Sequence, residues 1–378
     1  MIVWEKGEVL RIREETEAVQ RMVVRTEAGE EAFAVHYPLL LGRAEPGDGV
    51  WLNTTAVEMG LGTGGEHFVA GWISKRPQSF APVGHIMKMR YTPWQIAVST
   101  GEEEGNPHRE AVADRDTLGG WPILLGELHS MLPIVAAVWR HQGLIHRKRP
   151  RVVYVMTDGG ALPFALSQHG KHLQELGWLD ATVTAGHAFG GEVEAVNLHS
   201  ALLLARHALK GDLVFVSMGP GIVGTGTPFG FSGVEQGEAV NTVAALKGVP
   251  VFIPRIQGVD GRERHRGVSH HTLTNLERVA LAPAEVPLPD PLEPELSLQV
   301  ETIPRRHRTF SIAVTEVEAE VILRTYPFPL RSMGRGVSED PLFFRTVCAG
   351  ALHTWKRWTQ IVEGRSSLSI HREYGHKP

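Results

Sequence analysis

The stretch DLVFVSMGPGIVGTGT (residues 212–227) is an apolar run of strand length that passes directly into a loop rich in glycine and threonine. Three further apolar runs end in polar or glycine-rich loops; they are RVVYVM before TDGG (157–160), DATVTA before GHAFGG (186–191), and VPVFIP before Arg255. Helical patterns fall at roughly residues 161–176, 194–209, 233–247 and 270–281. Strands alternating with helices predict a parallel sheet with right-handed crossovers. Because open α/β sheets bind ligands at the carboxyl ends of their strands, these loops are the predicted site.

Residues 1–80 follow a different pattern, with short alternating runs separated by hairpin turns, which is typical of a small β-barrel. The predicted fold is therefore an N-terminal small β-barrel followed by a doubly wound, mostly parallel α/β domain. We predict a connector strand and helix over residues 81–150 that pack on the α/β domain. The α/β domain with its ligand cleft covers residues 151–364, and residues 365–378 form a polar tail.

Composition narrows the class of protein. The net charge is -4 with 19 histidines counted as neutral, so there is no basic field of the kind that accompanies nucleic-acid binding. The N-terminus lacks a signal-peptide pattern, and the longest apolar stretch is too short to span a bilayer. Cys348 is the single cysteine, which excludes a disulfide within the chain and fits a reducing compartment. We expect a cytoplasmic protein with no nucleic-acid or membrane partner, and homo-oligomerisation stays open.

The glycine-rich loop contains GPGIVG (219–224), which has the letters of a dinucleotide-binding motif. The loop nevertheless continues to Phe231 before a helix, and no acidic residue follows at the expected strand end, so the motif does not predict NAD binding. A long Gly/Thr loop that leads into a helix is suited to an anion. We therefore predict a binding site for a small anionic metabolite, with a structural glycine turn as the alternative. The predicted ligand-binding residues are Gly219, Gly221, Gly224, Thr225, Gly226, Thr227 and Arg255.

Titratable residues lie in the same predicted loops. The candidate catalytic residues are Asp158, His187, His265 and His270. Imidazoles with a carboxylate also suit a divalent metal such as zinc, manganese or iron, and Asp158, His187 and His271 are the predicted ligands. Adjacent helical residues point about 100° apart, so His270 and His271 need not face one ion. Acid–base or hydrogen-bonding roles without a metal remain the alternative.

Several blocks of the chain resemble a bacterial protein family. The blocks are NTTAV (53–57), HIMKMRYTP (85–93), TDGGALP (157–163), TAGHAFGG (184–191), MGPGIVGTGTPFGFSG (218–233) and RHRGVSHHT (264–272). The family is a domain of unknown function known from spore-forming Firmicutes and from Actinobacteria. The resemblance covers nearly the whole chain and implies a cytoplasmic bacterial protein, and it supplies no activity.

The layout of the chain is also similar to that of the pro-protein components of glycine and proline reductases. The similar features are the barrel, Tyr91-Thr92-Pro93, a helix with Glu127-Leu128-His129, and an α/β half. Those proteins depend on a cysteine that becomes a pyruvoyl group. Because Cys348 lies late in the chain, in a predicted helix, that chemistry does not carry over.

Our leading hypothesis is a hydrolase or transferase that acts on a small anionic, for example phosphorylated, metabolite. The glycine loop and Arg255 would bind the anion, while Asp158 and His187 would act as acid–base groups or metal ligands. One rival is a metabolite sensor whose barrel or C-terminal helix binds a partner. A second rival is a partner-binding protein that has no functional cleft. Interacting titratable groups with perturbed pKa values would favour the enzyme.

Overall fold

The computed structural model describes residues 1–61 and 64–364, and the predicted polar tail at 365–378 lies outside the described residues. The chain divides into two compact units, of which the first spans Met1–Ser99 and the second begins at Thr100.

The first unit contains a closed five-stranded barrel in the order β1-β2-β3-β5-β4. The strands are β1 (Trp4–Glu15), β2 (Gln20–Thr26), β3 (Glu31–His36), β4 (Gly49–Asn53) and β5 (Glu66–Trp72). Two short helices, α1 (Pro38–Leu41) and α2 (Thr55–Glu58), and a hairpin of β6 (Ile86–Lys88) and β7 (Ile96–Val98) complete it. Alternate apolar residues of the strands fill the barrel, among them Val9, Val24 and Leu52. The predicted N-terminal barrel is confirmed.

The second unit is built on eight strands that all run parallel. They are β8 (Pro122–Leu125), β9 (Val152–Thr157), β10 (Ala181–Ala185), β11 (Val193–Ala195), β12 (Leu213–Met218), β13 (Val249–Phe252), β16 (Glu285–Asp290) and β17 (Arg308–Ala313). A separate antiparallel pair is formed by β14 (Ile256–Gln257) and β15 (Gly267–Val268). The spatial order is β11-β10-β9-β12-β8-β13-β16-β17.

Nine α-helices occur in the described part of this unit. They are α3 (Arg109–Val112), α4 (Met131–His146), α5 (Gln168–Glu175), α6 (Leu198–Leu203), α7 (Glu235–Ala245), α8 (His270–Thr274), α9 (Pro294–Val300), α10 (Glu316–Leu323) and α11 (Pro341–Val362). In the described residues, none of the helices combines the length and apolarity that crossing a bilayer requires.

Helices cover both faces of the sheet. On one face α4 contacts α5, α10 and α11, and on the other α6 contacts α7. The direction of winding reverses between β9 and β12, which are neighbours in the sheet although α5 and α7 follow them on opposite faces. The doubly wound α/β fold is confirmed, and the β9/β12 boundary is its topological switch point, where such sheets bind ligands.

The central strands are buried along their whole length. Every residue of β8, β9 and β12 is buried. Uninterrupted apolar strands are typical of parallel sheets covered on both faces, because both sides of each strand meet helices. Burial on both sides is the reason that these strands appear in the sequence as uninterrupted apolar runs.

The region predicted as a connector differs from the prediction. Residues from Thr100 onward belong to the second unit, and β8 lies at the centre of the sheet between β12 and β13. The helix of this region begins at Met131, because residues 122–125 form a strand and a short connection follows it. Pro133 then falls in the first helical turn, where its missing N–H has no intrahelical partner to lose.

Candidate functional site

The loops that follow β9 and β12 start side by side. Met218 pairs with Thr157 on the last rung between these strands, and the Ala161 N–H donates to the Pro220 carbonyl over 2.7 Å. Six of the predicted site residues line two openings at this edge: Asp158 lines one, and Gly224, Gly226, Arg255, His265 and His271 line the other. We call the first the carboxylate cavity and the second the histidine–arginine pocket.

The carboxylate cavity has a volume of about 290 Å³. Its polar lining includes Thr157, Asp158, Asn197, Ser217 and Glu235. The Asp158 carboxylate accepts the His187 backbone N–H over 2.9 Å, and the Thr157 hydroxyl donates to Glu235. Strand β9 therefore supplies one carboxylate, and the first residue of α7 supplies the other.

Glu235 is the most strongly perturbed group in this cavity. Burial raises its pKa to about 7, the negative charges of Asp158 and Glu238 raise it further, and the hydrogen bond from Thr157 opposes the shift. A carboxyl group that titrates near neutral pH can both accept and donate a proton in a reaction, which is the property of a general acid–base residue. In the sequence alone, Glu235 is recognisable only as a residue near the start of a helix.

Gly186 is a position where the site requires glycine. Its φ is +65°, and a Cβ at this position would lie 2.2 Å from Asp158 Oδ2. The backbone at the end of β10 therefore approaches the carboxylate more closely than any side chain would allow. His187, one residue later, contributes its amide to Asp158.

The histidine–arginine pocket is smaller, at about 50 Å³. The polar or glycine residues that line it are Gly224, Gly226, Arg255, Arg262, Arg264, His265 and His271. Two of the predicted loop glycines thus face Arg255. The Thr225 and Thr227 hydroxyls bond to each other over 2.9 Å, Gly219 packs against Ala161, and Gly221 has open space around it.

Arg255 is buried, with 1% of its surface exposed. Its Nε–H donates to Gln257 Oε1 over 2.9 Å, and its Nη1 lies 3.8 Å from Glu127 Oε1. Its Nη2 is 3.9 Å from Asp260 and has no hydrogen-bond partner among the described residues. Burial lowers the pKa of Arg255, while the charge of Glu127 opposes that shift. A buried guanidinium with an unused donor is destabilised unless a ligand satisfies it.

Three imidazoles lie beside Arg255. The ring centroids of His265, His270 and His271 are 4.4 to 4.8 Å apart. His271 donates from Nδ1 to Glu127 over 2.5 Å, and His265 Nδ1 is hydrogen-bonded to Ser269 over 2.8 Å. Burial, with smaller contributions from neighbouring positive charges such as Arg255, lowers the pKa of His265 to about 3. Burial and the neighbouring His271 lower that of His270 to about 4.

The trio of histidines differs from the predicted metal set of Asp158, His187 and His271. Within residues 1–61 and 64–364, the one group of His, Cys, Asp and Glu close enough to share an ion is His265, His270 and His271. Strands β12 and β8 separate β9, which carries Asp158, from β13. At about 4.8 Å per strand, β9 and β13 are about 14 Å apart, and neither Asp158 nor His187 belongs to the group of histidines.

Sequence reasoning missed Glu127 and Glu235 as site residues. Glu127 follows the buried run 122–125 and so obeys the same strand-end rule as the other loops, but the run was assigned to a connector. In the sequence, Ser232 and Glu235 have the spacing of a helix capping box. The structure has no side-chain cap at the start of α7, and Ser232 Oγ instead accepts the Val223 N–H. Glu235 instead accepts a hydrogen bond from Thr157, which is 78 residues away in the chain, so no short sequence motif reveals this contact.

Fold and site together define a two-unit protein, with a five-stranded barrel and a doubly wound α/β unit that carries polar groups at its switch point. The chain belongs to the family described as "Protein of unknown function (DUF3866)", whose model matches residues 33–351. The matched range contains every residue of both the carboxylate cavity and the histidine–arginine pocket named above. No curated protein and no solved structure matched the chain.

Proposed function

We propose that the protein is an enzyme, a hydrolase or transferase, that acts on a small metabolite carrying a phosphate or carboxylate group. The anionic group would bind in the histidine–arginine pocket. The observation that carries this proposal is the buried Arg255, whose Nη2 lacks a hydrogen-bond partner among the described residues beside a glycine-lined opening. A reducing compartment suits the single buried Cys348, and we propose the cytoplasm.

The arginines around the pocket differ in how fully they are paired. Arg262 forms a two-point contact with Asp260, at 3.0 Å from Nε and 3.0 Å from Nη2. Arg335 also contacts Asp260, over 3.3 Å. Asp260 is therefore shared with Arg262 and Arg335, and Glu127 is shared with His271, so neither carboxylate pairs with Arg255 alone. Positive charge left in a small buried opening favours an anion.

Arg264 supplies a second guanidinium at the mouth of the pocket. Its Cζ would lie 3.6 Å from a Cβ on Gly226, so its charged group borders the glycine loop. Guanidinium groups bind phosphate and carboxylate oxygens through paired N–H donors. The pocket has room for one such group, so the remainder of the metabolite would extend out of it.

The carboxylate cavity would provide the acid–base groups, and its wall adjoins the pocket at Gly126 and Glu127. Gly126 lines that cavity, and the next residue, Glu127, contacts His271 in the neighbouring pocket. Gly233, two residues before Glu235, lies against the Glu127 side chain. In this proposal a substrate anchored by its anion extends along the sheet edge toward Glu235 and Asp158. We assign Glu235 the role of proton donor or acceptor in the reaction.

The experiment is a thermal-shift screen of the full chain against phosphorylated and carboxylated metabolites, followed by titration of the best ligand. Arg264→Gln removes a guanidinium at the pocket, and Arg266→Gln is the matched control because Arg266 is exposed and does not line it. We expect about tenfold weaker binding for Arg264→Gln and no change for Arg266→Gln. If no anion stabilises the protein, or if both variants lose affinity equally, the proposed function is wrong.

Turnover separates the enzyme from the sensor. The bound metabolite is incubated with wild-type protein and with Glu235→Gln, and products are followed by NMR. We expect product from the wild type and at least about a hundredfold slower turnover in the variant, at unchanged ligand affinity. Binding without product in the wild type would favour the metabolite sensor instead.

A further inference from the structure

We propose that His265, His270 and His271 form a binding site for one divalent transition metal ion, with zinc as the best fit. One ring nitrogen from each residue lies within 4.8 Å of the others. Three atoms no more than 4.8 Å apart all lie within about 2.8 Å of a common point, and a Zn–N bond is about 2.0–2.1 Å long. Side-chain shifts of about 0.7 Å would therefore complete the coordination.

Groups around the histidines hold the rings in place. The Glu127 carboxylate accepts from His271 Nδ1, and both side chains are nearly inaccessible, at 1% and 5% exposure. Ser269 is hydrogen-bonded to His265 Nδ1 and also caps α8. Metal-binding histidines typically have their second nitrogen fixed by a carboxylate or hydroxyl in this way, which orients the ring and raises its basicity. Glu127 and Ser269 are thus positioning residues.

Of the nitrogens left over, that of His271 lies beside the pocket, and that of His270 is buried without a partner among the described residues. His271 Nε2 would be 3.6 Å from a Cβ on Gly224, which lines the histidine–arginine pocket. His270 Nε2 is a buried atom with no hydrogen-bond partner among the described residues. Glu127 Oε2, on a side chain that is 99% buried, likewise has none in that part of the chain.

Three histidine ligands leave one position of a four-coordinate ion open, as in catalytic rather than structural zinc sites. His265 and His271 line the pocket together with Arg255 and Arg264, so the open position would be available to the proposed anion. The ion and the anion would then stabilise each other, because Arg255 and Arg264 repel a bare cation and an anion removes that repulsion. This coupling rests on the proposed function, whereas the three-histidine geometry does not.

The test is titration of the metal-free full chain with Zn²⁺ by calorimetry and with Co²⁺ by visible spectroscopy. We expect one equivalent per chain and a four-coordinate Co²⁺ spectrum. His270→Gln should weaken binding by more than about a hundredfold, and Glu127→Gln by about 10–100-fold. His141→Gln is the control, since His141 lies in α4 outside the cluster. Binding below one equivalent, or equal affinity in His270→Gln, would overturn the proposal.

X-ray absorption of the zinc-loaded wild type keeps the test independent of variant folding. Three imidazole nitrogens in the zinc shell are expected, and fewer than three would refute the site. Inorganic phosphate is then titrated against the metal-free and the Co²⁺-loaded chain. Phosphate binding without a metal site would leave the proposed function standing, whereas a metal site without anion binding would leave only this inference.

Discussion

At the scale of single residues, the site depends on groups whose environment overrides their usual behaviour. Glu235 is held where its charged form is disfavoured, and Arg255 is held where a donor is unused. Gly186 admits a carboxylate that any side chain would displace. Each of these features gives a measurement that does not need the substrate.

Glu235→Gln should change the pH dependence of stability. Burial raises the pKa of Glu235 to about 7 from an ordinary 4.5, so the fold favours its neutral form. The resulting stabilisation is complete below pH 4.5 and is lost as the pH rises through about 7. The glutamine variant stays neutral and still accepts from Thr157. We expect it to be more stable than the wild type by about 2 kcal/mol at pH 8, with the difference vanishing toward pH 4.5.

Urea unfolding at several pH values measures this difference. Glu175→Gln is the control, because Glu175 is exposed on α5 and does not line the carboxylate cavity. A stability difference between wild type and Glu235→Gln that stays constant from pH 4.5 to 8 would show that Glu235 titrates normally.

Gly186→Ala and Gly177→Ala form a matched pair. Both glycines have a positive φ, of 65° and 64°, so alanine suffers the same backbone penalty of about 1–2 kcal/mol at each. Only at Gly186 does the new methyl group meet Asp158, since Gly177 has open space around it. We expect Gly186→Ala to lose more stability than Gly177→Ala by at least about 1 kcal/mol in thermal unfolding. Equal losses would mean that Asp158 moves aside freely.

At the scale of elements, strand β16 is fixed to its neighbours through one buried carboxylate. Glu285 contacts His353 over 2.7 Å and Arg357 over 3.2 Å on α11, and Arg308 over 3.3 Å on β17. Burial alone would raise its pKa, but the hydrogen bond and charges of these three residues lower it. The Glu285 carboxylate thus joins three elements at one point.

Glu285→Ala should therefore destabilise the second unit by about 3–5 kcal/mol, because it leaves buried positive groups without their partner. Glu320→Ala breaks an exposed contact with Arg324 on α10 and should change stability by less than about 1 kcal/mol. Chemical denaturation compares the two. Similar losses in both variants would show that the buried cluster adds nothing beyond a surface pair.

Elements also explain what the sequence could and could not predict. The strands and their order of appearance were predictable because β9, β10, β12 and β13 are continuous apolar runs followed by glycine or polar loops. The short β8 was assigned to a connector, since its four residues lead into Glu127 and a helix without a recognisable break. The proximity of loop residues followed from the parallel sheet, but which strands are neighbours did not, so Asp158 was grouped with His271. Only the order of the strands in the sheet shows that Asp158 and His271 are far apart.

At the scale of the whole molecule, each unit has a core of its own. The barrel encloses a cluster that includes Val9, Met22 and Val50, with all five strands closed on one another. A closed barrel with its own core satisfies its backbone hydrogen bonds without other parts of the chain. We expect residues 1–99, expressed alone, to unfold in one cooperative thermal transition followed by circular dichroism. A non-cooperative melt would show that the barrel requires the rest of the chain.

The position of β12 has a consequence for synthesis on the ribosome. Strands β8 and β9 are the first two of the eight parallel strands along the chain, yet they are not neighbours, because β12 lies between them. A nascent chain that stops before residue 213 can form α4 but lacks the strand that joins the two halves of the sheet. Assembly of the sheet centre must wait until residue 218 has emerged, and the glycine loop emerges next. The glycine loop therefore leaves the ribosome directly after the strand that completes the centre of the sheet.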